Sequence, residues 1–165
     1  MNRLMIAAAV AASFIASPLA AQAPPPYGIG ISFDAAKKAI TAAEAEAKKN
    51  NWPVAIAIVD SSGKLAAFSK MDNTQHGSVD IAIGKAVTAN NLKRPTKAFQ
   101  DLIAQGGGNL RLLAAPGVTP LEGGVPIVVD GKIIGAIGVS GVLSNQDAEV
   151  AMGAPQRRNN CQKPA

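Results

Sequence analysis

The sequence predicts an α/β protein of the α+β sandwich kind, with an antiparallel sheet of about five strands packed against four helices. Three observations carry that expectation. The elements run helix, two strands, two helices, three strands, helix, an order that favours antiparallel pairing over βαβ crossovers. The runs flanking Asp130-Gly131, VPIVV and KIIGAIGVS, are rich in β-formers, and such a pair between them predicts a tight two-residue hairpin. From Val54 to Val59 every residue is apolar, as a central strand covered on both faces requires.

Each element has a local reason. Ser32 is placed to cap a helix from about Phe33 to Asn50, in which Ala36, Ile40, Ala43 and Ala47 share one face and Glu44 precedes Lys48 by four residues. Its apolar stripe is narrow and Ala-rich, so a neighbour can approach closely, and Asn50, Asn51 and Pro53 end it. After the Val54–Val59 strand, Asp60-Ser61-Ser62-Gly63 reads as a turn and Lys64–Lys70 as the returning strand. Met71–Gly77 has no period and reads as a loop. Ser78 then caps a helix to about Asn91, with Asp80 in its first turn, and Thr96 opens a shorter one to about Gln105, stopped by Gly106-Gly107-Gly108. Leu110–Ala114 reads as a short strand, APGVTPLEGG as a loop, and Ser144 with Asp147 as the capping box of a last helix through about Met152.

A length of 165 residues suits one domain. The first 23 residues read as a cleavable export signal: Arg3 precedes an uncharged apolar run, Leu4–Ile15, too short for a permanent anchor, and small residues place cleavage after Ala21 or Ala23. The expected organisation is therefore signal 1–23, Pro-rich leader 24–31, domain 32–153 and polar tail 154–165. The mature protein is expected in a periplasm or outside the cell, without stable membrane insertion. Cys161 is the single cysteine, so no internal disulfide can hold the fold; it is a free thiol on the tail or the partner in an intermolecular bridge. The formal charge is +5, yet Lys and Arg are spread along the chain and aromatics make up only 4% of it, which argues against nucleic-acid binding.

Several catalytic motifs fail on inspection. Gly106–Gly108 lacks the Gly-Lys-Ser/Thr of a phosphate loop, and Gly84-Lys85-Ala86 lacks the hydroxyl. Gly138-Val139-Ser140-Gly141-Val142 lacks the second glycine of a nucleophile elbow, leaving Ser140 as the end of a strand. Gly135, Gly138 and Gly141, three apart in a strand, are expected where another backbone comes close.

His76, the single histidine, lies in the loop between strand and helix. No cluster of further ligands accompanies it, as zinc would require, but haem needs only one or two axial ligands and an apolar slot. The alternative is an ordinary exposed loop histidine. Met71 is a second candidate for the iron through its thioether, or else a core anchor. Asp60, Asp80 and Asp130 are explained by turns and a helix start, which leaves Asp72 and Glu122 unassigned. With Lys85 they could form an acid–base group, if burial lowers the lysine's pKa; otherwise Lys85 extends its amine to solvent.

The segments VAIAIVDSSGKLAAFSKMD, SVDIAIGKAVTA, RPTKAF, GVTPLEGGVPIVVDGKIIGAIGVSG and QDAEVA stand in an order that resembles the GlcG/HbpS family, also called the haem-degrading-domain or DUF336 family. The likeness covers about Ser32 to Gly153. It implies an antiparallel α/β sandwich, symmetric homo-oligomers (commonly octamers) and haem as cofactor; some exported members relay redox stress to a sensor-protein partner. Others stand beside glycolate or propanediol genes or are fused to corrinoid enzymes, so an accessory enzyme or binder for organic acids or corrinoids is the alternative function. A haem-supporting threonine in the family's loop before Gly-Gly corresponds to Val118 or, one step on, Thr119. The family's paired-glutamate iron motif falls on Asp80 and Ile83 and is broken here. The resulting expectation is an exported haem-binding protein without a classical catalytic centre, with His76, Thr119 and Met71 about the cofactor and His76 on the iron.

Overall fold

The computed structural model describes residues 23–153. The expected export signal 1–23, apart from its last residue, and the expected tail 154–165, with Cys161, lie outside the described residues. The elements are α1 (Phe33–Lys49), β1 (Ala55–Asp60), β2 (Leu65–Lys70), α2 (Ser78–Asn91), α3 (Lys97–Ala104), a 3-10 stretch (Gly107–Ala114), β3 (Gly124–Val129), β4 (Lys132–Ser140) and α4 (Ser144–Gly153). The sheet is antiparallel, with four strands in the order β2-β1-β4-β3.

The fifth strand is absent among the described residues because Leu110–Ala114 belongs to the 3-10 stretch. Gly106 and Gly107 both have positive φ (71° and 60°) and turn the chain before it, a conformation only glycine adopts freely. Leu110 and Leu113 are left exposed rather than alternating in and out as in a half-buried strand.

Alternation along β1 sorts the core into two layers. Ile56 and Ile58 face α1 and α4 together with Ile137 and Val139 of β4. Ala55, Ala57 and Val59 face α2 with Ala136. On the α2 side nearly everything is alanine or glycine, which brings helix and sheet into backbone contact: a Cβ at Gly138 would overlap the Ala82 carbonyl and lie 2.5 Å from the Ala86 nitrogen. A Cβ at Gly135 would meet the Val59 carbonyl, and one at Gly141 the Pro53 carbonyl. The β3–β4 hairpin turns at Asp130 and Gly131, both at positive φ (49° and 72°), as a type I′ turn demands.

The caps are distributed differently from expectation. Ser32 does cap α1, its Oγ accepting from Ala35 N at 3.3 Å. For α2 the boundary residue is Gly77, with no side-chain cap, and Ser78 is the buried first residue of the helix. Thr96 turns its hydroxyl to the sheet, accepting from Gly124 N at 2.8 Å. At α4 Gln146 makes the reciprocal bond, to Leu143 N at 3.2 Å, because Asp147 is committed elsewhere.

The proline-rich leader extends along the start of β4, where Tyr27 forms an isolated parallel bridge with Ile133. β1 ends at Asp60 opposite Gly135, so Ile133 and Ile134 would otherwise lack partners on that side. Pro26 to Ile31 take the place: Ile133 N donates to Pro26 O (2.9 Å), Gly28 N to Ile133 O (2.8 Å) and Ile31 N to Ile134 O (2.7 Å). Tyr27 adds a bond from its hydroxyl to Asn90 O at the C-terminal end of α2 (2.8 Å).

Candidate functional site

Helix α2 organises the residues singled out from the sequence. Met71 leaves β2 with its N–H on Val54 O (3.0 Å), and its carbonyl accepts from the Thr74 hydroxyl (2.7 Å). Its side chain packs against the α1-side core. Met71 and Asp72 line a concavity of about 360 Å³ there, with Glu44 and Lys48. His76 is exposed and precedes α2 by two residues; its carbonyl accepts from Val79 N, and its imidazole makes no hydrogen bond to any described residue. Among the described residues no group of three His, Cys, Asp or Glu could hold a metal ion by itself.

Thr119 docks on the middle of α2. Its N–H donates to Thr88 Oγ1 (2.8 Å), and its hydroxyl lies against Gly84, where a Cβ would overlap it. Glu122 N donates to Gln100 Oε1 (2.9 Å), which ties the same loop to α3. Gly84 lies eight residues beyond His76, roughly 12 Å along a helix axis, so His76 and Thr119 are too far apart to ligate one ion together. Met71 lies on the other side of the sheet from Thr119. The structure thus sets His76 before the start of α2, Thr119 against its middle and Met71 on the other side of the sheet, and brings no two of the three together.

The flank of α2 toward β2 is apolar and open. Residues 83 and 85 of a helix point about 160° apart at the helical repeat, and Lys85 faces the Gly123-Gly124 turn before β3, so Ile83, with Val87 one turn on, faces the β2 side. Both are only partly buried against the α2-side core. On β2, Phe68 pairs with Ala57 and Leu65 with Val59, which puts both side chains on this same side of the sheet. They remain 36% and 51% exposed because α2 lies over β4, β1 and β3 and leaves the edge strand uncovered. The outcome is an uncovered aliphatic and aromatic strip beside α2, with His76 at the helix's N-terminal end.

The other flank of α2 holds a buried ion pair. Lys85 Nζ donates to Asp147 Oδ2 (2.7 Å) and to Val139 O (2.9 Å), and both side chains are only 2% exposed. Lys85 therefore does not reach solvent. Burial pushes the Lys85 amine below its ordinary range and the Asp147 carboxyl above it; each opposes the other's shift, and Glu122 adds its charge on Lys85. Asp147 also accepts from Val142 N (3.2 Å). Gly123, at φ 125°, fits over the pair, its absent Cβ leaving room for Lys85 Nζ and Val139 O. Asp72, on the α1 side, takes no part, so the acid–base grouping of Asp72, Lys85 and Glu122 is not assembled.

Asp147, expected from the sequence only as half of a capping box, is the partner of Lys85. An acidic residue followed by Ala148, Val150 and Ala151 on a buried face was the available signal, and its helix-start position concealed it.

The fold and these features define a small antiparallel α+β domain with an open apolar flank and a rigid, glycine-lined core. Residues 31–155 match the family described as haem degrading protein HbpS-like, and the chain belongs to that family. It is 45% identical to Protein GlcG of Escherichia coli K12 over 110 residues, 67% of this chain and 81% of that protein. Protein ORFY of Klebsiella pneumoniae, a DUF336 protein, superposes with TM-score 0.73 at 27% identity, over 81% of this chain and 94% of its own. The crystallised PduOC:heme complex superposes with TM-score 0.69 at 28% identity, over 76% and 92%. No described helix is long and apolar enough to cross a membrane.

Proposed function

We propose that this protein binds haem along the α2–β2 flank, with His76 ligating the iron. The observation that carries the reading is the exposed imidazole, free of hydrogen bonds to described residues, just before a helix whose partly buried Ile83 and Val87 lie beside the exposed Leu65 and Phe68 of β2. Haem asks for one axial side chain and an apolar surface, and this flank has both. Membership of an HbpS-like family and the likeness to a haem-complexed domain support the same ligand. When bound, haem supplies redox and oxygen chemistry; the chain supplies the ligating nitrogen and a water-excluding surface.

A strip on one protomer covers one face of a flat macrocycle. We therefore expect a homo-oligomer, an octamer as the family resemblance implies, in which a neighbouring copy covers the other face. Thr119, held on the far flank of α2, reaches haem only from such a neighbour, and Met71 serves the core. Export to the periplasm or beyond, and a sensor-protein partner, complete the proposal. Storage, sensing or transfer of haem suits this arrangement better than catalysis, since the amine of Lys85 is closed off by Asp147 and Val139 O.

The test is a titration of the purified protein with haemin. A saturable Soret shift, weakened at least tenfold in His76→Ala and also weakened in Phe68→Asp, is the expected result. No shift at micromolar haemin, or a shift indifferent to both substitutions, would overturn the assignment.

A further inference from the structure

The α1 side of the sheet carries a second opening, unrelated to the haem flank. α4 packs on β4 and β3, with Asp147 against Gly123 just before β3, and α1 leans over β1 and β2. The hairpin half of β3 is left with a groove of about 380 Å³, within the usual range of small-ligand pockets. Its floor and walls are aliphatic: Ile31, Ala35, Ala39, Ile127, Val129 and Ile134. The polar groups at its edge are Ser32, Asp34 and Lys38.

These three differ in what they can still offer. The Ser32 hydroxyl accepts from Ala35 N as the helix cap. Asp34 is paired with Lys37 at 2.9 Å. Lys38 takes part in none of the ion pairs among the described residues. The rim thus holds one cation without a carboxylate partner among the described residues, beside a slot that favours hydrocarbon, because each buried methylene is stabilised on leaving water.

We propose that this groove is a binding site for an aliphatic monocarboxylate, its chain lying on Ile127, Val129 and Ile134 and its carboxylate meeting Lys38. A cation is disfavoured by Lys38, and a small polar hydroxy acid would leave the aliphatic floor wet. The site is separate from the proposed haem flank, on the opposite side of the sheet, so either can fail without the other.

Octanoate is the probe, followed by heteronuclear NMR and calorimetry on the purified protein, with octylammonium and 1-octanol as controls. The expected result is saturable shifts at the amides of Val129 and Ile134 with octanoate, and binding at least tenfold weaker in Lys38→Glu, whose exposed side chain leaves the fold untouched. Ala35→Leu, which fills the slot, should abolish binding; should that variant unfold, Lys38→Glu decides alone. Four results would overturn the proposal: equal affinity for 1-octanol, indifference to Lys38→Glu, shifts mapping elsewhere, or no shift at millimolar octanoate. Cross-linking that places Val129 in a contact between copies would overturn it as well.

Discussion

Replacing Asp147 by alanine should be among the most damaging single changes that leave the α2–β2 flank untouched. The substitution strands the Lys85 ammonium, 2% exposed, with one carbonyl acceptor, Val139 O, in place of a carboxylate and a carbonyl. Breaking a buried pair by removing one partner costs about 3–5 kcal/mol. For a domain of this size each kcal/mol moves the melting temperature by about 3–4 °C, so a fall of roughly 10–20 °C is expected. Urea unfolding followed by circular dichroism should show a lower midpoint with the slope m unchanged, since the same surface is exposed. Lys85→Met with Asp147→Leu should recover most of the loss, because an apolar pair removes the desolvation penalty along with the attraction. A loss under about 1 kcal/mol in Asp147→Ala, or a double variant as unstable as the sum of the singles, would refute the view that these two groups sustain each other.

Two further outcomes follow from close contacts and turns. Gly138→Ala should cost about 3 kcal/mol or more, by the overpacking logic of tight cores, since its Cβ meets the Ala82 carbonyl and the Ala86 nitrogen, which are backbone and cannot step aside; thermal unfolding reads this directly. Asp60 has its pKa lowered, chiefly by the Ser62 hydroxyl, with the Ser62 and Lys64 amides adding to it against desolvation. A carboxylate with a depressed pKa contributes stability above its unfolded value of 3.8 that disappears as pH falls through the folded value. Asp60→Ala should therefore cost about 1 kcal/mol at pH 7, discounted for exposure, and nothing at the acid end of a pH-resolved denaturation series.

Much of the scaffold was legible because its signals are local. Asp130-Gly131 supplies two left-handed residues between β-formers, and no tertiary contact is needed to read that. The unbroken apolar run of β1 and the Ser32 cap belong to the same kind. Leu110–Ala114 misled because three leucines suggest a strand, whereas the two positive-φ glycines before them set the backbone direction. The site was less accessible. His76 stood out through its loop position, but the strip beside it depends on α2 leaving β2 uncovered, a fact of helix placement and not of spacing. Likewise Lys85 and Asp147 are 62 residues apart, and nothing in either local sequence names the other. The leader's docking on Ile133 and Ile134 was invisible for the same reason: it depends on where β1 stops.

The central claim is that the imidazole of His76 ligates haem iron, and chemical rescue addresses it most directly. In His76→Gly the account predicts a haemin spectrum shifted away from that of wild type, which added imidazole restores in a saturable way while the melting temperature of the apo protein is unchanged. A His76→Gly spectrum identical to wild type, with no response to imidazole, would contradict it.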